Sequence, residues 1–315
     1  MELDKAMVKN IFITGATGCI GSYISEQLIN NNKYHLFLLV RNPDRLLPNV
    51  INAKNVEIVK GDMAFIELAS KDIAKADYII NIATSWGGAK QSNVNGVSKM
   101  LSFVDKFKFK KFIQFETASI LGHENALLEE ASTDGTGYIK CKYDIYHITK
   151  NHPLSDKIIR VYPTVVIGGA QDRPYSHISK GLLNFHKQLK WLKRIYIDFG
   201  FHFMHSEDIA KCVIHIMKNV ENENDLVLGN DYISLKDFIK QATEYYNQKA
   251  ILKFKIPSWF INLIIKLNLV KMSSWDKFCF SYKFFKYNTV NCKTYGLSTD
   301  KDTVKGIFDD IETNR

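Results

Sequence analysis

Several absences narrow the class of this sequence. Only six of its 42 basic residues are arginine, at positions 41, 45, 160, 173, 194 and 315. Arginine makes the commonest bidentate contacts to base edges, so its scarcity argues against a sequence-reading nucleic-acid binder. The five cysteines, Cys19, Cys141, Cys212, Cys279 and Cys292, are scattered, with no C-x-x-C pair and no metal-type spacing. That pattern disfavours a disulfide scaffold or a zinc site, and the expected compartment is a reducing cytoplasm. The opening residues MELDK lack the apolar run of a secretory leader. The most lipid-like stretch, 256–270, is 15 residues long and is interrupted by Asn262, Lys266 and Asn268. A bilayer span needs about 20 mostly apolar residues, so no transmembrane helix is expected. No internal repeat or low-complexity tract is found.

The 315 residues are 46% hydrophobic and 12% aromatic, which excludes wholesale disorder and gives room for one large or two medium domains. The net charge of +9 is unevenly spread. Residues 251–287 hold seven lysines against Asp276 alone, a net +6, and the remaining 278 residues carry +3. Aromatics such as Trp259, Phe260, Trp275, Phe278 and Phe285 interleave with those lysines. Such a segment suits an apolar or anionic substrate or a peripheral membrane contact, and it equally suits an ordinary lid with snorkelling lysines.

Short apolar runs at 10–14, 35–40, 56–59, 78–83, 111–115 and 158–167 read as buried parallel strands. Between them lie amphipathic segments of helix length, including 21–31, 93–107 and 143–150. The alternation predicts an α/β fold, a Rossmann-type doubly wound parallel sheet with a smaller C-terminal substrate-binding cap. The expected division is a nucleotide-binding domain over 1–168, to which a helix at 206–219 returns, and a cap from 169–205 and 220–315. Ser206 and Ser234 are the expected N-caps of two later helices.

The first strand runs into Gly15, Thr17, Gly18, Cys19, Ile20 and Gly21, a G-x-x-G-x-x-G turn that opens a helix. Here the first glycine permits the tight turn, the second admits a pyrophosphate, and the third allows close helix packing. A helix N-terminus then offers free N–H groups to phosphate. Twenty residues on, where an NAD site carries Asp or Glu for the ribose 2′-hydroxyl, stands Arg41, with Arg45 a turn further. A guanidinium there suits a 2′-phosphate, so NADP(H) is expected over NAD(H), with NAD(H) still admissible. Asp62 ends the third strand and suits either the adenine amine or a cap for the following turn.

Four ordered motifs carry a family resemblance: TGATGCIG at 14–21, NIAT at 81–84, TASILG at 117–122 and Y-x-x-x-K at Tyr138 and Lys142. RVYPTVVIG at 160–168 and HFMHSEDIA at 202–210 reinforce it. The chain resembles the extended short-chain dehydrogenase/reductase family, the NAD(P)-dependent epimerase/dehydratase group, over about three quarters of its length.

The resemblance implies an oxidoreductase in which Tyr138 is the general acid and base, Lys142 favours its phenolate, and Thr117 clamps the substrate oxygen. Ser119 is the runner-up for Thr117. It also implies Met63, Asn81, Ala83, Lys142 and Pro163 as cofactor contacts, Thr84–Gly88 as a substrate floor with Trp86 either stacking on ligand or covering the core from an exposed loop, Asn95 as a turn pin, and His205 and Asp208 as structural. A second Y-x-x-x-K, Tyr146 and Lys150, sits too near the next strand and is read as packing. Glu116 is the one carboxylate near Thr117, and strand alternation directs it to the opposite face. The activity implied is hydride transfer between nicotinamide and a secondary alcohol or ketone. The alternatives are a nucleotide-sugar epimerase or dehydratase and a non-catalytic nucleotide-binding scaffold or sensor. Expected partners are a small-molecule substrate and a second copy of the chain, with no nucleic acid and no metal.

Overall fold

The computed structural model describes residues 8–84, 91–251, 254–257, 259, 272–282 and 285–314. Six strands open the chain: β1 (Lys9–Thr14), β2 (Tyr34–Val40), β3 (Val56–Lys60), β4 (Tyr78–Asn81), β5 (Lys111–Phe115) and β6 (Ile158–Pro163). The expected strand over 158–167 breaks at Thr164. Its second part, β7 (Val165–Ile167), leaves the main sheet and pairs with β8 (Phe203–His205). Two further strands, β9 (Asp225–Leu228) and β10 (Thr289–Val290), return to it from the segment assigned to the cap. The resulting eight-stranded sheet has the order β10-β9-β6-β5-β4-β1-β2-β3. Every neighbouring pair in it is parallel.

Alternation along the strands covers both faces with helices. Ile11, Ile13, Leu36, Leu38 and Ile113 pack against Ile24 and Leu28 of α1 (Cys19–Ile29). Phe12, Phe37, Ile79 and Phe112 point the other way. They meet Val97 and Met100 of α2 (Gly96–Ser102) and Cys141 and Ile145 of α3 (Gly137–Lys150). Helix α4 (Ser206–Asn219) joins the α1 face through Ile209, Val213 and Ile216. Beyond these lie α5 (Leu235–Tyr245) and α6 (Val304–Thr313), whose Phe238 and Phe308 share a third apolar cluster.

Helix boundaries shift where capping was misread. Helix α3 begins at Gly137, before the expected 143, because the Thr136 hydroxyl accepts from Ile139 N–H. The α4 cap is His205 and not Ser206, its ring Nδ1 accepting from Glu207 N–H at 3.1 Å. Ser234 caps α5 as expected, accepting from Asp237 N–H. The expected helix over 93–107 is shorter, a π turn at Gln91–Asn95 followed by α2. In that turn Asn95, the expected turn pin, is exposed and Asn93 is buried. No helix among the described residues is long and apolar enough to cross a membrane.

Candidate active site

In a doubly wound sheet, ligands bind beyond the carboxyl ends of the strands, where the strand order reverses. Here the reversal falls between β1 and β4, and the glycine turn leaves β1 at that point. Gly15 has φ +76°, and a Cβ there would stand 2.8 Å from Ala83 N. A Cβ on Gly21 would lie 2.1 Å from the Gly15 carbonyl oxygen, so α1 can pack this closely only on glycine. Helix α1 has no side-chain cap and no acid in its first turn, which leaves its N-terminal N–H groups open to an anion. Thr17, Gly18, Cys19 and Ile20 are half-buried around the opening. The Cys19 thiol lies 3.1 Å from the Ser206 hydroxyl on α4. This cradle fits a dinucleotide pyrophosphate.

At the rim, Arg41 follows β2 and its Nε lies 3.6 Å from Asp62. The Arg41 side chain is 77% exposed, free to reach a phosphate. Asp62 accepts from Ala64 N–H at 2.8 Å and caps the turn after β3. Arg45 is exposed in the short 3₁₀ turn Pro43–Arg45. Met63 is buried, in contact range of Gly96. Asn81 is 1% exposed, and its amide is committed within the sheet, accepting from the Thr14 hydroxyl (2.6 Å) and donating to Gln114 (2.8 Å). Ala83 N–H donates to Thr14 Oγ1 at 3.1 Å, and Pro163 ends β6 buried. Residues 85–90, with Trp86, lie outside the described residues.

The catalytic candidates meet at the end of β5. Tyr138 and Lys142 are one turn apart on α3, and Lys142 Nζ lies 5.9 Å from the Tyr138 ring centre. Thr117 follows β5 and its hydroxyl hydrogen-bonds Tyr138. Ser119 is exposed, and its N–H donates to Thr117 Oγ1 at 3.3 Å. Lys142 is 3% exposed and donates to the Phe115 carbonyl at 2.5 Å. That carbonyl also accepts from Gln114 Nε2 at 2.8 Å. A buried polar chain thus runs from Thr14 through Asn81, Gln114 and Phe115 to Lys142, linking the glycine turn to α3. Gln114 was not singled out in the sequence, and Thr14 only as the first residue of the glycine motif. The available signal was a polar residue inside an otherwise apolar strand, KFIQF.

Glu116 also differs from its expected position. It does alternate away from the Phe115 face, but the face it enters is the one α3 covers. Its carboxylate lies 3.9 Å from Lys142 Nζ. Burial pushes its carboxyl up to about 8, opposed by Lys142 and Arg160. Burial, and then the nearby Glu116, push the Tyr138 phenol above its usual range, while the Thr117 bond pulls it down. Burial lowers the Lys142 ammonium, opposed by Glu116. The second motif is separate from this group. Tyr146 accepts from its own Lys150 at 2.7 Å, with the Arg160 guanidinium 5.5 Å from its ring.

The cap closes on the same end. Trp275, Phe278, Tyr282, Phe285 and Tyr287 form a run of ring contacts 5.0–6.4 Å apart, in one apolar cluster with Tyr138. Tyr287 donates to the Ala118 carbonyl at 2.9 Å, and Tyr282 accepts from His123 N–H at 3.0 Å. His205 and Asp208 tie the C-terminal segment to α4 through Asp310 (3.1 Å) and Thr299 (2.6 Å).

The profile of the NAD-dependent epimerase/dehydratase family matches residues 11–229. The chain belongs to that family. Its members are enzymes, and this enzyme has the extended short-chain dehydrogenase/reductase architecture. An uncharacterised protein of Methanocaldococcus jannaschii, MJ1055, is 24% identical over 282 residues, covering 78% of this chain and 83% of that one. The fold is similar to that of dTDP-glucose 4,6-dehydratase from Bacillus anthracis, solved with NAD, with TM-score 0.67, 16% identity and 98% of each chain covered. It is also similar to vestitone reductase from alfalfa (Medicago sativa), with TM-score 0.66, 14% identity, and 96% and 97% of the two chains covered. At these identities the solved structures speak to the fold alone.

Proposed function

We propose that the enzyme is an NADP(H)-preferring oxidoreductase acting on a secondary alcohol or ketone, with Tyr138 as general acid and base. The observation that carries this reading is the meeting of Thr117, Tyr138 and Lys142 beside the glycine turn. In the reducing direction the Tyr138 hydroxyl gives its proton to the substrate oxygen, and the Thr117 hydroxyl holds that oxygen. Lys142 places positive charge behind the tyrosine and stabilises it after the proton has left. A bound nicotinamide would supply or accept the hydride. Gly15, Gly18 and Gly21, with the N-terminus of α1, would hold the pyrophosphate, and Arg41 the 2′-phosphate that distinguishes NADP.

Burial keeps the proton on Tyr138 at neutral pH, the form a carbonyl reduction needs. The aromatic run from Trp275 to Tyr287 favours an apolar, ring-bearing substrate. A dehydratase needs a carboxylate facing substrate, and the Glu116 side chain beside Thr117 is sealed at 0% exposure. The test is NADPH consumption over a panel of aromatic and aliphatic ketones. Net, stoichiometric oxidation is expected with the wild type and none with Tyr138→Phe, whose NADPH affinity should be unchanged. An active Tyr138→Phe, or configurational change of a nucleotide sugar with no net cofactor consumption, overturns the reading.

A further inference from the structure

Glu116 is the residue of this site that the hydride-transfer reading leaves unused. Its side chain is 0% exposed, and neither carboxylate oxygen has a hydrogen-bond partner among the described residues. A buried carboxylate of this kind is costly unless its charge is offset or it holds a proton. The groups around it are unequal partners. From α3 come Lys142, at 3.9 Å, and Tyr138, whose phenol feels the Glu116 charge. From β6 come Arg160 and Tyr162, and from β9 comes Asp225. Arg160 Nε and Nη2 and the Tyr162 phenol are engaged by Asp225, with bonds of 2.6 and 2.7 Å from the guanidinium and 2.6 Å from the phenol, and Arg160 Nη1 has no partner among the described residues. Among the described residues Lys142 is the positive charge within 4.0 Å of Glu116, and its ammonium also lies 5.9 Å from the Tyr138 ring centre.

We propose that Glu116 is a positioning residue that sets, by holding or releasing its own proton beside Lys142, the charge felt by the Tyr138 phenol. The proposal rests on the reading of Tyr138 as the proton-transferring group. With a proton on Glu116, the Lys142 charge is uncompensated and Tyr138 yields its proton more readily. With Glu116 ionised, the pair is neutral and Tyr138 keeps its proton. The residue therefore biases the enzyme toward the acid form of Tyr138 as pH rises, favouring carbonyl reduction over alcohol oxidation. No bond other than those to protons changes in this device.

The test is an ultraviolet difference titration of the full chain, in which Tyr138→Phe is subtracted in each background to isolate the Tyr138 phenol. Glu116→Gln should move the Tyr138 midpoint down by at least one pH unit, a tenfold or greater rise in the phenolate-to-phenol ratio at a given pH. Glu116→Asp, which keeps the charge, should stay near wild type. An unchanged or higher midpoint in Glu116→Gln overturns the proposal. Should that variant fail to fold, Glu116→Leu, which needs no hydrogen-bond partner in this enclosed position, reads the same shift with the same two outcomes. The titration needs no substrate. Turnover without the shift removes only the role of Glu116, and the shift without turnover removes only the reductase reading.

Discussion

Arg41 marks the point where a single side chain would choose the cofactor. It projects from the end of β2, mostly in water, with Asp62 beside it. Its place at the end of β2 was legible from the spacing after Gly21, whereas its pairing with Asp62, read in the sequence as an adenine contact or a turn cap, was not. A charge-assisted bond to an exposed phosphate contributes at the low end of about 1.5–3 kcal/mol. Arg41→Ala should therefore weaken NADPH binding about tenfold and leave NADH within a factor of about two. Equilibrium titration with both nucleotides checks this, and equal losses for both would remove Arg41 from the 2′-phosphate site. That Tyr138 and Lys142 share a helix face was equally legible, because Y-x-x-x-K is a local helical spacing. Glu116 was not, because alternation along a strand fixes a face but says nothing of which helix covers it.

The strands β1, β2, β4 and β5 were readable because each is a short apolar run buried on both sides, and β3, at the sheet edge, because half-buried Val56, Ile58 and Val59 still mark it. The strands β9 and β10 were hidden. Strand β9 begins on exposed Asp225 and offers only three apolar residues, Leu226 to Leu228, and β10 is only two residues long, so neither stands out as an apolar run. What joins β9 to β6 is electrostatic as well as hydrogen-bonded. Arg160, 3% exposed, grips Asp225 with two bonds. Burial alone would raise the Asp225 carboxyl, but Arg160 and Tyr162 outweigh it and hold it below its ordinary value.

A depressed carboxyl stabilises the fold at neutral pH, and that contribution is lost as pH falls through the folded-state value, below about pH 4. Removing one partner of a fully buried pair costs about 3–5 kcal/mol, and water at Asp225 screens this one to about 2 kcal/mol. Asp225→Asn should be destabilised by that amount at pH 7, with the gap to wild type closing toward pH 3. Denaturant melts at the two pH values measure it, and a gap constant with pH would contradict the account.

At the scale of the whole molecule, the charge and the aromatics that stood out in the sequence separate. Of the seven lysines in 251–287, Lys253, Lys266, Lys271 and Lys283 lie outside the described residues. Among the others, Lys255 pairs with Asp198, and Lys286 sits 4.8 Å over the Tyr232 ring. These contacts are those of lid lysines on their own neighbours. Trp275, Phe278, Tyr282, Phe285 and Tyr287 instead pack toward Tyr138 and the turn that carries Thr117, whereas Trp259 is exposed and Phe260 lies outside the described residues. Periodicity could show that the cap was amphipathic, but the face it turns to the sheet is set by long-range contacts such as Tyr287 to Ala118. These C-terminal aromatics thereby cover the end of β5 where Thr117 and Tyr138 meet.

The most direct test of hydride transfer through this site uses NADPH deuterated at the transferable position of the nicotinamide C4, with a ketone that the enzyme consumes. Deuterium should appear at the carbinol carbon of the product, one for each NADPH oxidised, and Tyr138→Phe should give none. Deuterium retained in the cofactor while a substrate changes configuration would contradict net reduction and assign an epimerase.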